Sequence, residues 1–160
     1  MSKSARRELL ELILEVSFEH REVVLSSGRK SDFLDAALAV ARRWRPGPAL
    51  LVGDTNGGRR GVDEESPAFD RREERWIDDL AHAGWVDAFR ALHGDRREYT
   101  WYSPNAGNGF RLDYGFCNPA LLQRLRAARH VWGSDGGPRR DALSDHAALI
   151  LDFDRIGSLA

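Results

Sequence analysis

The feature of this sequence that most constrains its fold is a set of short apolar segments, each bounded by turn residues or by a polar group. Residues 49–52 form a continuous apolar run that opens onto Gly-Asp-Thr-Asn-Gly-Gly, which is typical of a buried strand that ends in a loop. Further strands are predicted at 99–102, 109–116, 126–132 and 147–153. From residue 49 onward, the chain is therefore expected to form a sheet.

Helical spacing of apolar residues occupies much of the remaining chain. We predict helices over 4–17, 32–44 and 70–83. Residues 21–25 are rich in β-branched side chains and lead into a turn, which predicts a short strand. Residues 57–69 carry few apolar side chains, so we expect a long, exposed and mobile loop there. Together these segments predict an α/β protein with a mixed, mainly antiparallel sheet and flanking helices.

Composition excludes several classes of protein. Of the 160 residues, 42% are hydrophobic and 31% are charged, which indicates a globular chain. The 24 basic and 25 acidic residues nearly cancel, so any attraction to nucleic acid or to another anion must be local. Cys117 is the only cysteine, which excludes an internal disulfide and a cysteine-based zinc cluster. Without a membrane-length apolar run or a signal-peptide pattern, we expect a cytoplasmic protein.

Polar side chains of specific kinds stand where the predicted strands begin or end, and they suggest one shared site. They are Asp54, Asn56, Trp101, Arg111, Asp113, Asp145 and His146. Carboxylate and amide oxygens are hard ligands suited to Mg²⁺ or Mn²⁺, which also bridge to substrate phosphate. His146 is expected to stabilise charge on a phosphoryl oxygen, with Asp113 orienting its ring. This set predicts hydrolysis of a phosphate ester.

Each of these signals alone also has a structural explanation. An Asp-x-Asn segment such as 54–56 is common in turns, and Ser-Asp-His at 144–146 is typical of a turn that enters a strand. Asp113 could be a buried carboxylate paired with Arg111, and Trp101 could fill the core. The order of the segments along the chain is more specific than any one of them.

Three segments carry a resemblance to a known family, namely Leu50–Asn56, Arg111–Tyr114 and Leu143–Ala147. In order and in placement on strands they resemble the C-terminal half of the endonuclease/exonuclease/phosphatase superfamily, which includes exonuclease III-like enzymes. Residues 79–89 and 99–101 also look like that family, so the resemblance covers about residues 36–153. It implies one half of a two-layer α/β sandwich whose enzymes cleave phosphate esters with Mg²⁺.

The same resemblance implies roles for the matched residues. Asp54 would orient or deprotonate the attacking water, and Asp113 would orient His146, which would bind the scissile phosphate. The implied metal ligands are Asp54, Asn56 and Asp145, and the residues expected to contact substrate are Trp101 and Arg111. Thr55 stands where the family usually has Phe, a change that removes no reactive group.

The resemblance also predicts an incomplete metal shell. In that family the motif matching Asp54 lies near the middle of the domain, and an earlier half supplies one sheet, an Asn and a metal-binding Glu. Only 53 residues precede Asp54 here, and none of them resembles those motifs. Leu14–Phe18 and Val24–Phe33 instead resemble the opening of orotate phosphoribosyltransferase, without that family's phosphoribosyl pyrophosphate loop. We therefore divide the chain into this segment at 1–35 and a partial endonuclease/exonuclease/phosphatase-like domain at 36–160.

Three functions of different classes follow. The first is a metal-dependent phosphoesterase, with nucleases included, that uses Mg²⁺ or Mn²⁺ on a phosphate ester such as nucleic acid. The second is a non-catalytic or partner-dependent truncated half-domain, in which a homodimer or partner chain covers the exposed sheet. The third, an activity related to orotate phosphoribosyltransferase, lacks the backbone cradle that binds pyrophosphate. No membrane partner is expected.

Overall fold

The computed structural model describes residues 32–44, 47–132 and 144–154. The predicted helix at 4–17, the predicted strand at 21–25 and the segment that resembles orotate phosphoribosyltransferase lie outside the described residues. The chain divides after Asp35 into two units, and the sheets and the candidate site belong to the second.

Short helices and strands follow one another along the described chain. In order they are α1 (Asp32–Arg43), β1 (Leu50–Asp54), α2 (Arg71–His82), β2 (Val86–Asp87), α3 (Ala88–His93), β3 (Trp101–Tyr102), β4 (Gly109–Phe110), β5 (Asp113–Cys117), α4 (Pro119–Leu122), β6 (Leu125–Val131) and β7 (Ala148–Phe153). This confirms the predicted mixed α/β fold with antiparallel sheets and flanking helices. The predicted strand at 109–116 is two strands, because the backbone N–H of Arg111 donates to Asp63 O and that of Leu112 donates to Thr100 Oγ1. No helix of the described residues has the length and apolar content needed to cross a membrane.

Strands of the described chain pair in an antiparallel manner. β5 lies between β1 and β2, β3 pairs with β4, and β6 pairs with β7. In the β1–β5 ladder, Leu50 lies opposite Cys117 and Asp54 lies opposite Asp113. This register brings the polar end of β1 beside the polar start of β5.

One face of the β1–β5–β2 sheet packs against α2. Trp76 of this helix contacts the rings of Tyr114 and Phe116 edge-on, with centroids 6.2 and 5.4 Å apart. Asp70 starts the helix through a capping box with Glu73, which satisfies backbone N–H groups that the first turn leaves unpaired. The helix therefore begins at a defined residue and presents its aromatic side chain to the sheet.

On the opposite face, Gly115 allows close approach of the β6–β7 pair. A Cβ atom at this position would lie 2.6 Å from Leu151 Cδ1, so a larger residue would force the β7 side chain away. The buried cluster on this side consists of Ala88, Phe89, Cys117, Leu121, Leu125 and Ala128, with Leu122, Leu151 and Phe153 packed against it. Burial of this apolar surface holds β7, and the turn that precedes it, against the sheet.

The segment at 57–69 is anchored to the fold, which corrects the expectation of an exposed, mobile loop. Glu64 is only 3% exposed, and its carboxylate accepts three backbone N–H groups from within the segment. The same residue forms a β-bridge with Phe110 of β4. The sequence pattern did not indicate this anchoring because the buried side chains are acidic, and their burial depends on backbone donors.

A buried charge network joins this segment to the sheet. Arg111 is fully buried, and its guanidinium donates to Asp63 from Nε at 2.6 Å and to Asp87 from Nη2 at 2.5 Å. Arg90 pairs with the same Asp63 carboxylate. Burial raises the pKa of Asp63, but the charges and hydrogen bonds of Arg111 and Arg90 outweigh burial, so the pKa lies below its usual value.

Replacing Arg111 should destabilise the fold strongly. Arg111→Met leaves Asp87 buried without its cation and Asp63 with Arg90 alone. Breaking a buried ion pair in this way costs about 3–5 kcal/mol. We expect a corresponding loss in the free energy of unfolding measured with urea. Arg129→Met is the matched control, because its ion pair with Asp152 is solvent-exposed and should contribute little. Equal stability of the two variants would contradict the role assigned to Arg111.

Candidate active site

Two carboxylates face each other where β1 ends and β5 begins. The Thr55 N–H donates to Leu112 O at 2.9 Å, so Asp54 and Asp113 form a non-hydrogen-bonded cross-strand pair with both side chains on one face. Side chains are closest in such pairs, and two like charges directly opposite each other are destabilising. The position therefore favours a cationic or proton-donating partner.

His146 is the partner of one of these carboxylates. Its Nδ1 lies 2.8 Å from Asp113 Oδ2, and both side chains are partly buried. An ionised carboxylate only accepts hydrogen bonds, so this contact places an imidazole proton on Nδ1. The turn before β7 holds the histidine, because its backbone N–H donates to Ser144 Oγ at 3.0 Å. This orientation leaves Nε2 as the ring atom that can meet a ligand.

A local turn holds the Asp54 side chain. Its Oδ1 accepts the Asn56 backbone N–H at 2.9 Å, which forms an Asx turn. Asn56 has a left-handed backbone with a φ of 49°, a conformation that Asn tolerates better than most residues. Both residues are exposed. The Asp54 carboxylate and the Asn56 amide can therefore meet water or a ligand.

Trp101 and Asp145 extend the site on the side of β3. The indole N–H of Trp101 donates to Asp145 Oδ2 at 3.0 Å. The centroid of the Trp101 ring lies 6.4 Å from that of His146 and 5.9 Å from that of Phe110. A partly exposed aromatic ring beside the histidine offers a face on which a planar group can stack.

A pocket of about 360 Å³ opens beside the histidine. It is lined by Val52, Gly53, Asp113, Tyr114, Ser144, His146, Ala147, Ala148 and Leu149. Asp113, Ser144 and His146 bring polar groups to a lining that is otherwise mostly apolar. The volume lies in the range of small-molecule sites.

The structure thus brings most of the residues that the sequence singled out to one end of the sheet. These are Asp54, Asn56, Trp101, Asp113, Asp145 and His146. Ser144 is a further site residue whose contribution the sequence analysis missed. Its spacing of two residues from His146 is typical of a serine turn and could have indicated the hydrogen bond.

Arg111, which we expected to contact substrate, lies elsewhere. It is fully buried, and its guanidinium forms ion pairs with Asp63 and Asp87 in the interior of the fold. It does not pair with Asp113 either, since that carboxylate contacts His146. The sequence could not indicate this position, because the two carboxylates that bind Arg111 are 48 and 24 residues away along the chain.

Metal binding by Asp54, Asn56 and Asp145 remains a prediction. Their oxygens are of the type that Mg²⁺ prefers, and this ion commonly takes one or two carboxylates while water and substrate phosphate complete its shell. Within residues 32–44, 47–132 and 144–154, no three His, Cys, Asp or Glu side chains are grouped so that they could hold a metal ion. The donor chemistry therefore fits Mg²⁺ as part of a shell.

Comparison with known proteins gives nucleases as relatives. No family model matches the chain. An exodeoxyribonuclease of Streptococcus pneumoniae serotype 4 is 28% identical over 121 residues, which cover 67% of this chain and 42% of that protein. The chain thus spans less than half the length of this curated relative.

Solved structures share the fold over about half of their own length. The 3′ phosphatase NExo from Neisseria, bound to a product DNA hairpin, matches with a TM-score of 0.66 at 23% identity, covering 78% of this chain and 52% of its own. An AP endonuclease from Archaeoglobus fulgidus matches with a TM-score of 0.67 at 23% identity, covering 78% of this chain and 53% of its own. The chain therefore shares the fold of about half of each of these two proteins.

Asp113→Asn should change which ring nitrogen of neutral His146 carries the proton. A neutral amide accepts a hydrogen bond less strongly than a carboxylate, so we expect a smaller share of the imidazole proton on Nδ1. Nitrogen-15 NMR of the histidine ring measures this tautomer fraction. Asp152→Asn, in the exposed pair with Arg129, is the control and should leave the His146 signals in place. If Asp113→Asn also leaves them unchanged, the contact between Asp113 and His146 is refuted.

Proposed function

We propose that this chain hydrolyses phosphate esters of DNA, using the site at the end of β1 and the start of β5. The observation that carries the proposal is the contact between Asp113 and His146 at a pocket, with Asp54 opposite Asp113. Such a site offers a proton acceptor for water and a group that stabilises charge on a phosphoryl oxygen. Both are needed to cleave a phosphate ester by hydrolysis.

Asp54 is the proposed acceptor of the proton from water. Because Oδ1 is fixed by the Asn56 N–H, Oδ2 keeps a defined direction from which to orient the attacking water. The water oxygen forms the new bond to phosphorus as the ester oxygen leaves with its bonding electrons. The exposed Asn56 amide is proposed to help hold the phosphate.

His146 is the proposed ligand of the phosphoryl oxygen. Asp113 fixes the ring through Nδ1, so Nε2 is the atom that meets the substrate. In its protonated form the imidazole donates from Nε2 to the oxygen on which negative charge develops. Asp113 acts through the histidine and is in this sense a positioning residue.

DNA is the proposed substrate class, because the similar proteins are named as enzymes that act on DNA or were solved with DNA bound. They are an exodeoxyribonuclease, a 3′ phosphatase bound to a DNA hairpin and an AP endonuclease. The net charge of the chain is close to zero, so it produces no long-range attraction to DNA, and binding has to come from local contacts. Stacking of a base on the Trp101 ring is a contact of this kind that tolerates any sequence.

Dependence on Mg²⁺ or Mn²⁺ belongs to the same proposal. Asp54, Asn56 and Asp145 would hold the ion together with water and the substrate phosphate. When bound there, the ion would polarise a phosphoryl oxygen as a Lewis acid. Chelation with EDTA is expected to abolish hydrolysis, and added Mg²⁺ is expected to restore it.

His146→Ala should lower the hydrolysis rate of DNA by about 10²-fold or more, since it removes a donor to the developing charge. The assay uses Mg²⁺ with a duplex that contains one abasic site and with an oligonucleotide that carries a 3′ phosphate. His82→Ala is the matched control, because that histidine lies exposed on α2 and should not affect the rate. Equal rates for the wild type and His146→Ala would reject this site and favour a non-catalytic half-domain.

The outer edge of β1 is the proposed contact with a second copy of the chain. Among the described strands, β1 pairs only with β5, which leaves its other edge open. Leu50 and Val52 are 41% and 61% exposed and alternate with Leu51, so they share one face of the strand. An open edge with exposed apolar side chains favours pairing with another strand.

Sedimentation equilibrium tests this association. We expect a mass above the 18.0 kDa of one chain for the wild type. Val52→Lys should shift the protein to the monomer, because a charge at the paired edge opposes association. Leu92→Lys is the control, since this 44% exposed residue lies on α3. A wild-type monomer at all concentrations would contradict the proposed contact.

A further inference from the structure

The chain contains only two threonines, and both make side-chain hydrogen bonds to the backbone of Leu112. We propose that Thr55 and Thr100 are positioning residues that fix the two parts of the candidate active site relative to each other through Leu112. The catalytic consequence rests on the proposed function. The positioning itself can be tested by NMR and hydrogen exchange, without an activity assay.

Thr100 ties the start of β5 to the turn that holds the histidine. It is fully buried, and its Oγ1 accepts the N–H groups of Leu112 at 2.9 Å and Asp113 at 3.2 Å. Its backbone carbonyl accepts the Ala147 N–H at 2.8 Å. Ala147 directly follows His146, so one buried residue holds the backbone on both sides of the contact between Asp113 and His146.

Thr55 ties the end of β1 to the same point. Its N–H donates to Leu112 O at 2.9 Å, and its Oγ1 lies 3.0 Å from that carbonyl and 2.9 Å from Gly57 O. The one hydroxyl proton is therefore shared between two carbonyl groups. Because Thr55 stands between Asp54 and Asn56, these bonds fix the turn that carries both polar side chains.

The position of Thr55 is a departure from the pattern of the family that the chain resembles, which usually has Phe there. A phenyl ring has no hydroxyl, so it cannot donate to Leu112 O or to Gly57 O. The hydrogen bonds of Thr55 are thus a property of this chain. They add a side-chain link between β1 and β5 at the residue next to Asp113.

The link matters because the two parts of the site act on the same phosphate group in the proposed reaction. Asp54 directs the water and His146 holds the phosphoryl oxygen, so their separation has to be kept within a fraction of an ångström. Displacement of a reacting group by 1 Å can lower a rate by about 10²-fold. Leu112 is buried, and both its N–H and its carbonyl are hydrogen-bonded, one to Thr100 and the other to Thr55. It therefore fixes the two parts of the site relative to each other.

The first test compares Thr100→Val, which keeps the shape but removes the hydroxyl, with Thr100→Ser, which keeps the hydroxyl. We expect the valine variant to shift the nitrogen-15 signals of the His146 ring and to lower DNA hydrolysis by about tenfold or more. The serine variant should restore most of both properties. Ser103→Ala is the control, because this hydroxyl accepts a backbone N–H within the β3–β4 turn. A folded Thr100→Val protein with wild-type His146 signals would overturn the inference.

Thr55→Val tests the other side of the link. We expect the Asn56 amide signal to move and kcat for DNA hydrolysis to fall by about tenfold, with a smaller change in KM, since orientation is lost and not binding. Because both threonines act through Leu112, the double variant should lose less than the product of the two single effects. Independent, fully multiplicative effects would contradict action through a shared residue.

Hydrogen exchange in the wild type keeps the inference testable if the valine variants do not fold. The amides of Thr55, Leu112 and Asp113 should be protected, because each donates one of the bonds described. Fast exchange at these three amides would overturn the inference. If the wild type shows these properties but cleaves no DNA, the positioning stands and the proposed function fails.

Discussion

Arg111 holds a positive charge in the core, between the carboxylates of Asp63 and Asp87. A buried guanidinium needs both of these partners, because a charge in the interior without them is strongly destabilising. The segment at 57–69, the short strand β2 and the start of β5 therefore have to assemble together. This requirement explains why an acidic loop is anchored. Arg111 itself lies between β4 and β5, outside both strands.

The two residues after Arg111, Leu112 and Asp113, connect this buried charge network to the candidate active site. Leu112 follows Arg111; its N–H donates to Thr100 Oγ1, and its carbonyl accepts from Thr55. Asp113 follows Leu112 and faces Asp54 across the ladder. Only one of the two carboxylates contacts His146. This asymmetry gives similar side chains different environments, one orienting an imidazole and the other open to water. Three consecutive residues thus have connected roles. Arg111 forms the buried ion pairs, Leu112 receives the link from β1 and donates to Thr100, and Asp113 contacts the proposed catalytic histidine.

Sequence reasoning located the elements whose formation depends on local pattern. β6 and β7 were predicted at 126–132 and 147–153 and lie at Leu125–Val131 and Ala148–Phe153, since apolar alternation is a local signal. The residues that meet at the end of β1 and the start of β5 were singled out through the order of short motifs on strands. Arg111 was misplaced, because its partners are distant in sequence and its burial depends on them. The contribution of Thr100 was missed for the same reason, since its acceptor oxygen serves amides 12 and 13 residues later.

The central claim is that a DNA phosphate binds between His146 and Asp54. The most direct measurement is an NMR titration of the labelled chain with a short oligonucleotide that carries a 3′ phosphate, in the presence of Mg²⁺. The ring nitrogens of His146, the indole N–H of Trp101 and the backbone amide of Asn56 should shift together, with one dissociation constant. Shifts confined to other surfaces, with these three signals unmoved at saturation, would contradict the claim.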